Sequence, residues 1–218
     1  MMIDDHRHRI LQAAARVYTQ HGWRGATTRR IAEEAGVNEV TLFRHFGSKD
    51  ALLEQMMRDL VAESEQMRLP DQPGDPEHEL IQWASARHSE TCSRRPLIRQ
   101  MMSDFEERPE LVPCAVEGPH SAMSQLRRYV DQLFGAGFID ARDVVSPAEI
   151  EAAVSMFMGA VFADGMNRDV MPVMFTQPVD DTLRAYVRIF LRGLHALPTP
   201  VPQRPPHPID STLTTPSE

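Results

Sequence analysis

Thr28-Arg29-Arg30-Ile31-Ala32-Glu33-Glu34-Ala35-Gly36-Val37-Asn38-Glu39-Val40-Thr41-Leu42-Phe43-Arg44-His45-Phe46 decides how this 218-residue chain is read. Thr27 and Thr28 are N-cap candidates ahead of an apolar face made by Ile31, Ala32 and Ala35, and Gly36 supplies the tight turn that follows. Asn38 then caps a second short helix carrying Val40, Leu42, Phe43 and Phe46. The spacing is that of a helix-turn-helix over residues 27–46, whose second helix fits the DNA major groove. Ala32 and Ala35 are small where two helices approach, and Ile31, Val37, Leu42 and Phe46 supply a miniature core. Glu39, Thr41, Arg44 and His45 are left facing outward, with Lys49 just beyond. An ordinary helical hairpin has the same spacing, so the pattern alone leaves both readings open.

Working outward, helical periodicity continues on both sides. Ile10, Leu11, Ala14, Val17 and Tyr18 form one stripe, stopped by Gly22. Ser48 caps a helix that the pattern carries to Arg68, before the Pro- and Gly-rich segment from Leu69 to Pro76. Asp75-Pro76 is a cap with proline in the first helical position. It opens a helix through Leu80, Ile81 and Trp83 that Arg95-Pro96 is expected to end, starting another with Leu97, Ile98, Met101, Met102 and Phe105. Met123, Leu126, Val130, Leu133 and Phe134 follow, closed by Gly135-Ala136-Gly137. Ser146-Pro147-Ala148-Glu149 is a capping box for a helix with Ile150, Val154, Phe157 and Val161. The last helix follows Pro178 and carries Leu183, Val187, Phe190 and Leu194. The expectation is an all-α chain of about nine helices. It divides into a helix-turn-helix unit at 1–48, a second helical unit at 49–197 and a tail at 198–218. Seven of the last twenty-one residues are proline, and such a tail buries too little apolar surface to offset its ordering entropy.

Composition narrows the class. An apolar fraction of 42% supports a real core. Cys92 and Cys114 have no metal-finger spacing and need no oxidising compartment. The start lacks a secretory apolar stretch, and the longest nearly apolar run, Ala152 to Ala163, is shorter than the ~20 residues that span a bilayer. A soluble, cytoplasmic protein without a membrane partner is expected. The net charge of −8 is unevenly spread. Residues 1–50 hold eight Arg/Lys against six Asp/Glu, whereas residues 51–218 hold fifteen against twenty-five. A mildly basic head on an acidic body fits a nucleic-acid-binding module on a separate unit, although a short window can show this by chance.

Enzyme signals are weak. Glu117-Gly118-Pro119-His120 spells half of a di-iron E-x-x-H motif, but its Gly-Pro pair is expected to break the helix and no second copy exists. Gly135-Ala136-Gly137 lacks the preceding strand of a dinucleotide site. A helical-bundle enzyme that does not bind DNA is the alternative from another class, and no cofactor or metal is expected.

The stretch Arg9-Ile10-Leu11, Ala13-Ala14, Val17-Tyr18, His21-Gly22-Trp23, Gly25-Ala26-Thr27-Thr28, Ile31-Ala32 and Ala35-Gly36-Val37, continuing through Thr41-Leu42-Phe43-Arg44-His45-Phe46, Ser48-Lys49 and Leu52-Leu53, resembles the TetR family of bacterial one-component transcriptional regulators. The resemblance runs without a gap from about residue 7 to 57 and thins to architecture beyond it. It implies a homodimer on a palindromic double-stranded operator, usually a repressor, with an effector-binding and dimerisation domain at 49–197. Position by position, it places Thr27 and Thr28 on phosphates and Arg29 within reach of a base, where guanine O6/N7 is the commonest arginine target. Glu39, Val40 and Thr41 fall at base edges, and Phe43, Arg44, His45 and Lys49 face sugar and phosphate. Family members usually carry tyrosine at the Phe43 position, so a phenol contact is missing. The Glu39 carboxylate either accepts from cytosine N4 or acts as a first-turn acid favourable to the helix dipole.

The body carries less chemistry. Methionines interleave with aromatic residues, as in a pocket for a small hydrophobic effector and equally as in an ordinary core. Trp83, Met101, Phe105, Met123, Phe157 and Met158 are the pocket candidates implied by the helices that line it in the family. A DNA-binding regulator without an effector is a further alternative. The dimer is expected through helices 147–164 and 179–195, where Gly159, Ala160 and Ala163 permit close approach and Val161 and Phe190 are expected at the contact.

Overall fold

A computed structural model describes residues 2–64, 68–139 and 145–195, and every regular element in it is helical. The elements are α1 (Met2–Gly25), α2 (Thr28–Ala35), α3 (Glu39–Phe46), α4 (Lys49–Ser64), α5 (Pro76–Asp104), α6 (Val112–Gly135), α7 (Pro147–Asn167) and α8 (Val179–Gly193). Single 3-10 turns lie at Pro109–Leu111 and Pro172–Met174. The tail at 198–218 and the stretch 65–67, through which the fourth helix is expected to reach Arg68, lie outside the described residues.

Local chemistry sets the boundaries. The Thr27 hydroxyl accepts from the Arg30 amide, the Asn38 side chain accepts from the Val40 amide at 2.8 Å, and Gly36 turns left-handed at φ 63°. Asp75 caps α5 ahead of Pro76, and Ser146 and Glu149 form both halves of the capping box on α7. Gly22, also at φ 63°, breaks the regular course of α1. A side chain at Gly22 would meet Gln100 Nε2 at 2.7 Å, so α5 passes directly behind this turn.

Two expected helix breaks do not occur. Arg95-Pro96 does not end α5, which continues through Pro96 to Asp104, giving eight α-helices among the described residues. The helix loses the amide hydrogen bond that proline cannot make. In return, Leu97, Met101 and Phe105 pack in the N-terminal core. Gly118-Pro119 likewise lies inside α6 without ending it, and Glu117 and His120 are both exposed on that helix.

The chain therefore builds two cores around one helix. The first joins Ile10, Tyr18, Trp23, Ile31 and Leu42 to Leu52, Leu53, Met56 and Met57 of α4, with Leu97 and Leu111 added from outside the module. The second joins Leu80 and Trp83 of α5 to Leu126, Tyr129 and Leu133 of α6, Val154, Phe157 and Val161 of α7, and Leu183, Val187 and Phe190 of α8. At 29 residues, α5 is about 44 Å long and enters both. At its C-terminal end, the Asp104 carboxylate accepts from the Tyr18 hydroxyl at 2.7 Å and the Trp23 amide at 3.1 Å. Burial and this carboxylate push the Tyr18 phenol well above its ordinary pKa.

The middle of α5 is bolted to the end of α7. Asp164 is fully buried and accepts from His88 Nε2 at 2.9 Å and from two Arg168 nitrogens at 2.7 and 2.6 Å. Arg95 donates to the Gly165 carbonyl at 2.8 Å and Arg99 to that of Met166 at 2.7 Å. Arg168 also donates to the Phe175 and Gln177 carbonyls, fixing the connection between α7 and α8.

Candidate nucleic-acid interface

The helix-turn-helix is held as a unit by contacts the sequence pattern does not display. Arg9 on α1 donates to the Ala35 carbonyl at 2.6 Å, satisfying the C-terminal end of α2. Arg16 pairs with Glu34 at 2.7 Å. Ile31 and Leu42 are fully buried between the helices, and Val37 and Phe46 pack against them, as expected of the miniature core.

The ten predicted contact residues divide by what they touch. Thr27, Arg29, Val40, Phe43 and Arg44 are exposed, spread over the start of α2 and the outer side of α3. Thr28, Glu39 and Thr41 are half-buried, and the Thr28 hydroxyl donates to the Glu39 carboxylate. Arg29 donates to Glu33 at 2.9 Å, an exposed pair that holds the guanidinium weakly. His45 is half-buried, its ring tilted against Phe46, with Nε2 enclosed and unpartnered. Lys49 differs most from expectation. Its ammonium donates to the Trp23 carbonyl and lies 5.5 Å from the Trp23 ring centre. Burial, opposed by Asp50, holds its pKa below the ordinary lysine value. Arg108, in the connection before the Pro109–Leu111 turn, lies 4.4 Å from the centre of the same ring, so Trp23 carries two cations from distant parts of the chain.

The six pocket candidates do not lie together. Trp83 and Phe157 are buried in the body core, with Met123 and Met158 packed at its margin, whereas Met101 and Phe105 border the N-terminal core. Phe157 stacks on Phe190 at 4.7 Å between ring centres. Trp83 Nε1 is buried without a hydrogen-bond partner. A cavity of about 280 Å³ opens elsewhere, at the seam lined by His21, Trp23, Arg24, Gln100, Asp104 and Arg108. Among the described residues no three metal-ligating side chains cluster, and no helix is long and apolar enough to cross a membrane.

The expected dimer residues need one correction. Val161 and Phe190 are buried within the chain's own body core, because α7 and α8 turn these sides toward α5 and α6. The outward sides carry Ala152, Met156, Gly159 and Phe162 on α7 and Ala185 and Ile189 on α8. Met156 is 74% and Ile189 65% exposed, and nothing lies near Gly159.

A capped helix, a glycine turn and a second capped helix with exposed polar and apolar side chains form a helix-turn-helix. Residues 10–56 match the family model for bacterial regulatory proteins of the tetR family. The HTH-type transcriptional regulator YvkB of Bacillus subtilis is 24% identical over 189 residues, covering 86% of this chain and 96% of that protein. The HTH-type transcriptional repressor AcnR of Corynebacterium efficiens is 40% identical over 56 residues, 26% of this chain and 30% of the relative. A solved TetR-family regulator from Mesorhizobium loti superposes with a TM-score of 0.67 at 20% identity, covering 88% of this chain and 98% of that one. Residues 10–56 are thus similar to the N-terminal module of the tetR family, and over most of its length the chain is similar to an HTH-type transcriptional regulator.

Proposed function

We propose that this protein is a dimeric, ligand-responsive repressor that binds a palindromic operator and leaves it when a small effector occupies the helical body. The observation that carries the DNA reading is the outer side of α3, where Val40, Phe43 and Arg44 stand exposed beside Thr27 and Arg29 of the α2 start. Two modules related by a dyad read two half-sites one turn, about 34–36 Å, or a small multiple apart. The exposed Met156 and Phe162 on α7 and Ile189 on α8 support a dimer in which two helices from each protomer form a four-helix contact.

The contact residues have separable roles. Arg29→Ala is expected to cost ~1–3 kcal/mol per half-site on operator and little on random DNA, if the guanidinium leaves Glu33 for a guanine. Arg44→Ala is expected to weaken both alike and to lower the salt slope by ~1 per protomer, as loss of a phosphate contact does. Anisotropy titrations on both DNAs at several salt concentrations decide this, and equal losses for Arg29→Ala reject its base-reading role. Lys49 is assigned to the Trp23 stack in the free protein; a phosphate contact requires its ammonium to leave the Trp23 carbonyl.

The effector is proposed to be mostly apolar with one or two polar groups, bordered by Trp83, Met123, Phe157 and Met158. The buried, unpartnered Trp83 Nε1 supports a polar acceptor on it. Release works through α4, which packs on α6, and through α5, which enters both cores and runs to Asp104 against Tyr18 and Trp23. An effector that prefers the non-binding arrangement ~100-fold, about 2.7 kcal/mol, weakens operator binding by up to that factor. Linkage requires operator to weaken effector binding equally. A compound co-purified with the protein, identified by mass spectrometry, is expected to bind operator-bound dimer ~100-fold more weakly by calorimetry. Equal affinity for free and bound dimer contradicts the mechanism.

A further inference from the structure

We propose that Val40 reads the 5-methyl group of a thymine in each half-site, so that an apolar contact on a methylated pyrimidine sets the sequence preference of this module. The inference rests on the DNA-binding reading above and deepens it. At the tip of the module most polar groups are already engaged inside the protein. The Thr27 hydroxyl and Asn38 side chain cap helices, and Thr28 donates to Glu39. Arg29 is paired with Glu33, and Lys49 is held on the Trp23 carbonyl. Apart from Arg44, assigned above to phosphate, the large exposed side chains left with no such engagement are apolar. Val40, the second residue of α3, is 73% exposed, and Phe43 is 45% exposed. Three residues apart, they occupy one side of an eight-residue helix.

Residues at the N-terminal end of a recognition helix are the ones that reach base edges, and this places Val40 ahead of Phe43. Major-groove base edges offer donors and acceptors and one apolar group, the thymine methyl. A valine turned to that groove gains by covering the methyl and leaves its neighbours' acceptors unpaired at any other base. Glu39, one residue earlier, discriminates in the same direction. Held by the Thr28 hydroxyl, its carboxylate still repels the acceptor edge of guanine.

The test starts from random-sequence duplexes selected on the full-length protein, followed by synthesis of the enriched duplex with deoxyuridine replacing each thymidine in turn in both half-sites. At one thymine position the parent protein is expected to lose about fourfold per half-site, the worth of one buried methyl, while Val40→Ala binds the two duplexes equally. Replacing that thymine by cytosine and then by 5-methylcytosine is expected to restore part of the loss. Circular dichroism confirms that the variant is folded, as an exposed position predicts. Enrichment of a sequence in which no thymine is sensitive to uracil overturns the proposal. So does a Val40→Ala protein that still distinguishes thymine from uracil. Failure to enrich any sequence overturns the DNA-binding reading, and this inference falls with it.

Discussion

Glutamate in place of Met156 or Ile189 is expected to leave a folded monomer that binds operator at least ~10³-fold more weakly than the parent dimer. Both side chains point away from the chain's own core, so the fold loses nothing by the change. At an isologous contact each substitution occurs twice, and each buries a carboxylate with no partner, at several kcal/mol apiece. A single module retains phosphate contacts but forfeits the second half-site, which brings affinity down toward the non-specific level. Sedimentation equilibrium reads the assembly and anisotropy the affinity. A variant that stays dimeric, or a parent protein that sediments as a monomer, removes this face from the account. Val161 and Phe190 make poor probes of the same question, because charge there destroys the body core itself.

Asp164→Asn is expected to destabilise the fold by ~3–5 kcal/mol, the usual cost of removing one partner from a buried ionic cluster. The carboxylate is fully buried and opposes Arg168, with His88 as its second donor, and Tyr186 lies close enough to feel its charge. Burial alone would raise its pKa. The Arg168 and His88 hydrogen bonds outweigh that and hold it below the ordinary aspartate value. A depressed folded-state pKa gives stability that is complete above the unfolded value and is lost as pH falls through the folded one. Urea unfolding of the parent should therefore weaken below pH ~4, and the difference from Asp164→Asn should shrink over the same range. A difference independent of pH there would assign the loss to packing instead of charge.

The helix-turn-helix was legible because its determinants are local. Caps at Thr27 and Asn38, a turn at Gly36 and apolar spacing within twenty residues leave few alternative structures. Pro96 misled for the opposite reason. Proline disfavours a helix interior by ~3 kcal/mol, and what outweighs it here is burial of Leu97, Met101 and Phe105 in the N-terminal core, most of whose buried residues lie forty or more positions away. The outward face of α8 was hidden in the same way. Ile189 and Phe190 are adjacent and both apolar, and only packing against α5 decides which one turns inward. Lys49 reads as a phosphate contact by position, yet its nearest acceptor is the carbonyl of Trp23, twenty-six residues earlier. The His88–Asp164 pair, separated by seventy-six residues, leaves no mark in either local pattern.

On the proposed function, two copies of this chain read one palindromic DNA site. Selection of random-sequence duplexes by the full-length protein, followed by footprinting of the enriched sequence, tests it most directly. The expected result is an inverted repeat with two protected half-sites whose centres lie about 34–36 Å, or a small multiple of one turn, apart, bound by a dimer. No enriched sequence, or a single unpaired site protected by one protomer, contradicts it.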